Sequence, residues 1–137
     1  MLYLRKQDYD LIVKYCRQRL PEEACGLLGG TKDGGDCHVE KVYFLTNMEH
    51  GREHFFMDPK EQFTAIKDMR AHDFVLLGNF HSHPNSPSCP SKEDIRLAND
   101  MGLRYLILSL MGQEPELTVF RVEEGGQIWE EPLISDG

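Results

Sequence analysis

Two stretches constrain this chain more than any others: "FVLLGNF" at 74–80 and "LRYLILSL" at 103–110 are apolar at most positions, with no polar alternation. A strand with one wet face alternates apolar and polar residues, so these runs read as strands buried on both faces. Buried strands need cover, and the remaining periodicity supplies it. In "QDYDLIVKYCRQR", residues 7–19, Leu11, Ile12, Tyr15 and Cys16 fall at i, i+1, i+4 and i+5, which predicts a helix that Pro21 ends. "DPKEQFTAIKDMRAHD" predicts a second, with Asp58 as N-cap, Pro59 at the first helical position and Phe63, Ile66 and Met69 at three-residue steps. "SKEDIRLANDMG" predicts a short third helix ending at Gly102.

The other segments read as strands. Ala24–Leu28 forms a short apolar strand closed by Gly29 and Gly30, and "CHVEKVYFL" alternates up to the "TNMEHGRE" loop, so the two predict a hairpin. "ELTVFRVEEGGQIWEEPL" predicts another hairpin, turning at Gly125 and Gly126. The order is helix, two or three strands, helix, strand, helix, three strands. That implies an α/β fold: a mixed sheet flanked by helices, antiparallel at one end. With 137 residues, 40% of them hydrophobic, there is material for one core, so residues 1–137 are expected to form a single domain.

Composition excludes several functions. The formal charge is 15 minus 23, or −8, with basic residues scattered singly, so no nucleic-acid partner is expected. "MLYLRKQDYD" is too quickly charged for a signal peptide, and no apolar run approaches the roughly 18 residues of a membrane span. A cytoplasmic protein without membrane contact is expected. Cys16, Cys25, Cys37 and Cys89 are far apart with no CxxC, which favours free thiols over a disulfide framework.

The chemistry concentrates in "NFHSHPNSPSCPSKED", residues 79–94. His81 and His83 lie two apart at the end of a strand, so their side chains leave one face with Cα atoms about 6.5–7 Å apart. Two such imidazoles can converge on one ion, and one carboxylate would complete the usual three protein ligands of catalytic zinc. Asp94 is the nearest candidate, brought back by a return that Pro84, Pro87 and Pro90 stiffen. Ser91 and Asp94 also fit a capping box at a helix start, which does not exclude a metal role for the acid. Ser91 can equally turn its hydroxyl towards a developing oxyanion.

As a whole, "HSHPNSPSCPSKED" resembles the JAMM motif of the MPN metalloproteases, H-x-H-P-x6-S-x-x-D, with every specified position matched. The family also carries an upstream glutamate, and "PEEACGLLGG" offers Glu23, two residues before Cys25-Gly26. If a strand begins near Ala24, Glu22 and Glu23 point to opposite faces, so only one can serve the site. The resemblance implies His81, His83 and Asp94 as ligands of one zinc ion, with water as fourth ligand. It implies Glu23 as general base on that water and Ser91 as a helper at the oxyanion. It implies the MPN fold, a mixed sheet related to cytidine deaminases. The short chain is most similar to prokaryotic stand-alone members, which implies a zinc-dependent (iso)peptidase cutting after the C-terminal Gly-Gly of a ubiquitin-like or sulfur-carrier protein.

Other readings stand beside this one. His38 and Glu40 make the H-x-E of zinc deaminases, but their downstream P-C-x-x-C is missing, since position 92 is Lys. A cysteine hydrolase would use Cys25 or Cys89 as nucleophile, and a non-catalytic MPN scaffold would need no chemistry. His50 and His54 are spaced for a second metal but lie in a polar loop, and His72 is expected near a helix C-terminus, where its charge is favourable.

Overall fold

The two apolar runs lie side by side at the centre of one sheet. In the computed structural model, which describes residues 1–50, 55–98 and 100–136, the strands are β1 (Leu2–Arg5), β2 (Cys25–Asp33), β3 (Asp36–Leu45), β4 (Val75–His83), β5 (Arg104–Ser109), β6 (Glu116–Val122), β7 (Ile128–Glu131) and β8 (Leu133–Asp136). The helices are α1 (Lys6–Arg19), α2 (Pro59–Ala71) and α3 (Lys92–Leu97). β4 and β5 pair in parallel from Gly78↔Arg104 to His83↔Ser109. The sheet runs β7-β6-β5-β4-β2-β3-β1-β8, with β4–β5, β1–β3 and β1–β8 parallel and the remaining pairs antiparallel. The fold is α/β with a mixed sheet, as expected.

Helices cover both faces. Ile12, Val13 and Cys16 of α1 pack with Leu28, Leu77, Phe80, Leu106 and Leu108 on one side. Ala65 and Met69 of α2 pack with Cys25, Leu27 and Leu45 on the other, and Ala98, just past α3, joins Tyr105, Ile107 and Phe120. This two-sided burial is why β4 and β5 show no polar alternation. No helix among the described residues is long and apolar enough to cross a membrane.

Four expectations need correction. The first strand of the predicted hairpin does not close at Gly29-Gly30: β2 continues to Asp33 and turns at Gly34, where φ is +61°. The glycine pair sits where the register shifts against both neighbours, and a Cβ on Gly30 would lie 2.0 Å from the His38 carbonyl oxygen. These glycines allow close strand approach instead of a turn. The third helix stops at Leu97, not Gly102, with the Ala98 N–H bonded to the Asp94 and Ile95 carbonyls. Phe63 is not part of the buried stripe of α2; it is 66% exposed, with Lys67 Nζ over its ring at 5.6 Å, because Ala65 and Met69 face the sheet.

The fourth correction lies at the ends of the sheet. β1 is a four-residue strand absent from the predicted order, and the second hairpin continues past Pro132 into β8. β7 pairs with β6 while β8 pairs with β1, at opposite edges of the sheet. One residue, Pro132, separates these strands, so the sheet must curl until its two edges meet. Arg104 and Glu131 seal this seam with a buried ion pair of 2.6 Å, and Arg104 also donates to the Gly35 carbonyl of the β2–β3 turn.

Candidate metal centre

The end of β4 and the start of α3 bring three candidate ligand side chains to one point. His81 and His83 leave the same face of β4, and their Nε2 atoms stand 3.2 Å apart. Asp94, at the third position of α3, places Oδ1 3.2 Å from His81 Nε2 and Oδ2 3.1 Å from His83 Nε2. Four ligands at about 2.0–2.1 Å around a tetrahedral zinc lie about 3.3–3.4 Å from one another. The donor triangle therefore already has nearly the size such an ion needs. Two imidazole nitrogens and a carboxylate facing one point also favour a cation between them, and the chemistry of the set suits zinc.

The surroundings orient each donor. His83 Nδ1 donates to the Pro87 carbonyl at 2.7 Å, so Nε2 keeps its lone pair for the shared point. The Phe55 ring stacks on His81 with centroids 4.6 Å apart. Ser91 Oγ accepts from the Asp94 N–H at 3.0 Å while Asp94 Oδ2 accepts from the Ser91 N–H at 2.8 Å, a complete capping box. Ser91 thus caps the helix through its oxygen, and its hydroxyl proton remains able to donate. Both roles expected of the serine are compatible in this geometry.

Electrostatics follow the same contacts. Burial, the strongest influence, pushes the His81 imidazole below its ordinary range. His83 is also pushed down by burial, but Asp94 and the Pro87 carbonyl outweigh this and raise it. Burial alone would raise the Asp94 carboxyl, yet the two imidazoles beside it and the Ser91 N–H hold it well below the usual carboxylate range. Asp94 is an anion at neutral pH, as a metal ligand must be.

The return loop is tied down by more than its prolines. Ser109 Oγ donates to the Ser86 carbonyl at 2.6 Å, and Ser88 Oγ lies 2.6 Å from Thr118 Oγ1 and donates to Glu116 Oε1 at 3.1 Å. The Leu110 N–H donates to the His83 carbonyl at 3.1 Å.

Glu23 stands across from the histidines. β2 and β4 pair Cys25↔His81, and continuing that antiparallel register by two residues sets Glu23 opposite His83, on the same face of the sheet. Glu23 is 4% exposed, and its charge favours the protonated form of His83. Glu22 turns the other way and meets the exposed His50, with Oε2 3.5 Å from Nδ1.

The pattern describing prokaryotic homologs of the JAB domain matches residues 5–123. The chain belongs to the JAB domain family. Among the relatives of this JAB domain is the CysO-cysteine peptidase of Mycobacterium tuberculosis, 29% identical over 134 residues, covering 97% of this chain and 90% of that protein. The desampylase of Haloferax volcanii is 31% identical over 117 residues, covering 82% and 83%. Protein DSY2949 from Desulfitobacterium hafniense, solved in solution, is 50% identical with a TM-score of 0.91, covering 99% of this chain and 93% of that one. The relatives of this JAB domain include peptidases.

The other residues singled out in the sequence lie elsewhere in the JAB domain. His38 stacks on Tyr3 in β3, away from the ligands. His72 caps the C-terminus of α2, with Nδ1 2.8 Å from the Asp68 carbonyl oxygen. His54 lies outside the described residues, so the His50–His54 pair has no geometry to report. Cys25 is fully buried, its Sγ 3.8 Å from the Leu45 carbonyl oxygen, and burial pushes its thiol up to about 12, which is poor chemistry for a nucleophile. All four cysteines are free thiols, and Cys89 is exposed. Asn47, Phe55 and Ser82 were not signalled by any motif. The first two belong to a polar loop, and their contact with the centre crosses at least 24 positions of chain.

Proposed function

We propose that this JAB domain is a zinc-dependent (iso)peptidase that hydrolyses the bond after the C-terminal Gly-Gly of a ubiquitin-like or sulfur-carrier protein. The observation that carries this reading is the convergence of His81 Nε2, His83 Nε2 and the Asp94 carboxylate within 3.2 Å, with Glu23 buried opposite His83. The names of the CysO-cysteine peptidase and the desampylase support the substrate class. A small ubiquitin-like protein is the partner, its tail extended beside the sheet so that backbone pairing adds affinity.

His81, His83 and Asp94 would hold the metal. Zinc, when bound, supplies Lewis acidity: it lowers the pKa of water towards about 7 and polarises the scissile carbonyl. Glu23 accepts the proton of the attacking water and returns it to the leaving nitrogen, so one carboxylate serves both half-reactions. Ser91 donates its hydroxyl proton to the oxyanion that forms on the carbonyl oxygen. Phe55 covers the His81 ring and excludes water from one side of the site.

The test is Glu23→Gln on two substrates: a ubiquitin-fold carrier ending in Gly-Gly extended by one cysteine, and the same carrier joined to a lysine side chain. Turnover is expected to fall by roughly 10²–10⁴-fold with zinc content unchanged. Full activity in that variant defeats the base assignment, and wild-type inertness on both substrates defeats the substrate class. A non-catalytic scaffold is the competing reading, and the complete ligand set counts against it. Of the two cysteines that could serve as a nucleophile, Cys25 is disfavoured by its burial, and the thiol-alkylator test addresses the exposed Cys89.

A further inference from the structure

We propose that Asn47 is a positioning residue that clamps the general base, an inference that rests on the reading of Glu23 given above. β2 begins at Cys25, whose partner in β3 is Leu45, so regular strand pairing stops two residues short of Glu23. The same register carried on by two residues sets Asn47 opposite Glu23. There the Asn47 side chain takes over from the backbone ladder, donating from Nδ2 to the Glu23 carbonyl at 3.0 Å.

The peptide joining Glu23 to Ala24 is consequently held at both poles. Its carbonyl meets Asn47, and its N–H donates to Ser82 Oγ at 2.8 Å. Ser82 is the residue between the two histidines, and its own N–H donates to the Ala24 carbonyl at 3.0 Å. The base is thereby referenced directly to the strand that carries the ligands.

The orientation of Asn47 is fixed by its other contacts. Oδ1 accepts from the Glu49 N–H at 3.1 Å and from the Phe56 N–H at 3.0 Å. Both are obligate donors, so the oxygen must face them and the amide NH2 must face Glu23. Holding Phe56 also holds its neighbour Phe55, whose ring lies on His81. One buried amide, 4% exposed, therefore joins the base, the wall of the metal centre and the end of β3. A base outside the regular ladder has backbone freedom that such a clamp removes, and misplacement of about 1 Å can cost on the order of 100-fold in rate.

The experiment uses the full zinc-loaded chain and the cysteine-extended carrier, with Asn47→Ala, Asn47→Asp and Glu23→Gln side by side. Asn47→Asp is isosteric and keeps the acceptor for Glu49 and Phe56 but opposes an oxygen to the Glu23 carbonyl, so it decides the matter even if Asn47→Ala fails to fold. In Asn47→Asp, kcat is expected to fall on the order of 100-fold with KM unchanged. Zinc affinity, read by chelator competition, is expected to stay at the wild-type value, while the carbonyl carbon resonance of Glu23 moves. Wild-type kcat per zinc-loaded molecule in Asn47→Asp, or a fall in zinc affinity that accounts for the lost turnover, overturns the clamp. If Glu23→Gln is inactive in that same series, only the clamp fails; if Glu23→Gln is active, the base reading fails and takes the clamp with it.

Discussion

His83 donates its Nδ1–H to the carbonyl oxygen of Pro87 across 2.7 Å, and that bond decides which nitrogen the ring turns towards Asp94. The proline-rich return therefore helps to set the ring, because a backbone carbonyl four residues on fixes the tautomer. A site prepared in this way would bind metal without first having to reorganise.

Zinc should consequently stabilise the folded chain. At a free concentration of about 1,000 times Kd the gain is about 4 kcal/mol, roughly a 14 °C rise in Tm for a domain of this size. Thermal melts across a zinc titration should climb for the wild type and stay flat for His83→Ala. A chelator should return the wild type to its metal-free Tm and abolish hydrolysis, while a thiol alkylator should leave hydrolysis intact.

The capping role of Ser91 and the oxyanion role proposed for it are separable. Ser91→Ala removes the cap, at a cost of about 1 kcal/mol, whereas Ser91→Gly costs only a few tenths. Both remove the proposed oxyanion donor, which is expected to lower kcat by about 10²–10³-fold. Melting curves should therefore distinguish the two variants while their kcat values coincide. Wild-type turnover in Ser91→Gly would confine the serine to capping.

Gly26 sits one residue beyond Cys25, between β3 and β4. An added Cβ would stand 2.3 Å from the Tyr43 carbonyl oxygen and 2.2 Å from the Phe80 ring. Neither backbone nor a fully buried ring can yield cheaply, so Gly26→Ala should destabilise by about 1–3 kcal/mol or more. A lowered urea midpoint with an unchanged slope is the expected signature.

Asp68 links α2 to β3. Lys41 Nζ and the Tyr43 hydroxyl both donate to its Oδ2, at 2.8 and 2.6 Å, and these bonds hold its carboxyl below the ordinary value. A depressed folded pKa means stability fully present above the unfolded value of about 3.9 and lost as pH falls through the folded one. The stability difference between wild type and Asp68→Asn should be largest above about pH 4 and shrink at lower pH. Parallel thermal melts between pH 2 and 7 would measure it, and a difference that grows on acidification would contradict the assignment.

The legible parts of this molecule were those written in local pattern. The buried strands β4 and β5 announced themselves by unbroken apolar runs, and α2 by the Asp58-Pro59 start that the structure retains, with the Asp58 side chain accepting from the Lys60 N–H. The convergence of His81, His83 and Asp94 was legible because H-x-H and S-x-x-D lie within 14 residues of one another. What was hidden depends on distance along the chain. Gly29 and Gly30 signalled a turn, yet the crowding of β3 and β4 around β2 makes them strand residues. β1 and β8 are four residues each, too short for periodicity to speak: β8 pairs with β1, and β1 is held between β3 and β8. Asn47 carried no mark at all, since a single asparagine in a polar loop looks the same whether it clamps a base or meets solvent.

The seam at Pro132 has a consequence for how this molecule opens. Pairing β1 with β8 closes a loop of nearly the whole chain, and the entropy of closing a loop grows with the logarithm of its length. The β2–β3 hairpin pays almost none of that. Arg104 and Glu131 mark the end of the sheet where Gly78 pairs, while His83 lies five residues further along β4, about 16 Å away. Amide exchange should therefore find two separable motions: breathing of residues 2–5 and 133–136 at the seam, and opening of the β4–α3 return at the metal end. Zinc should slow the second and leave the first to the Arg104–Glu131 pair.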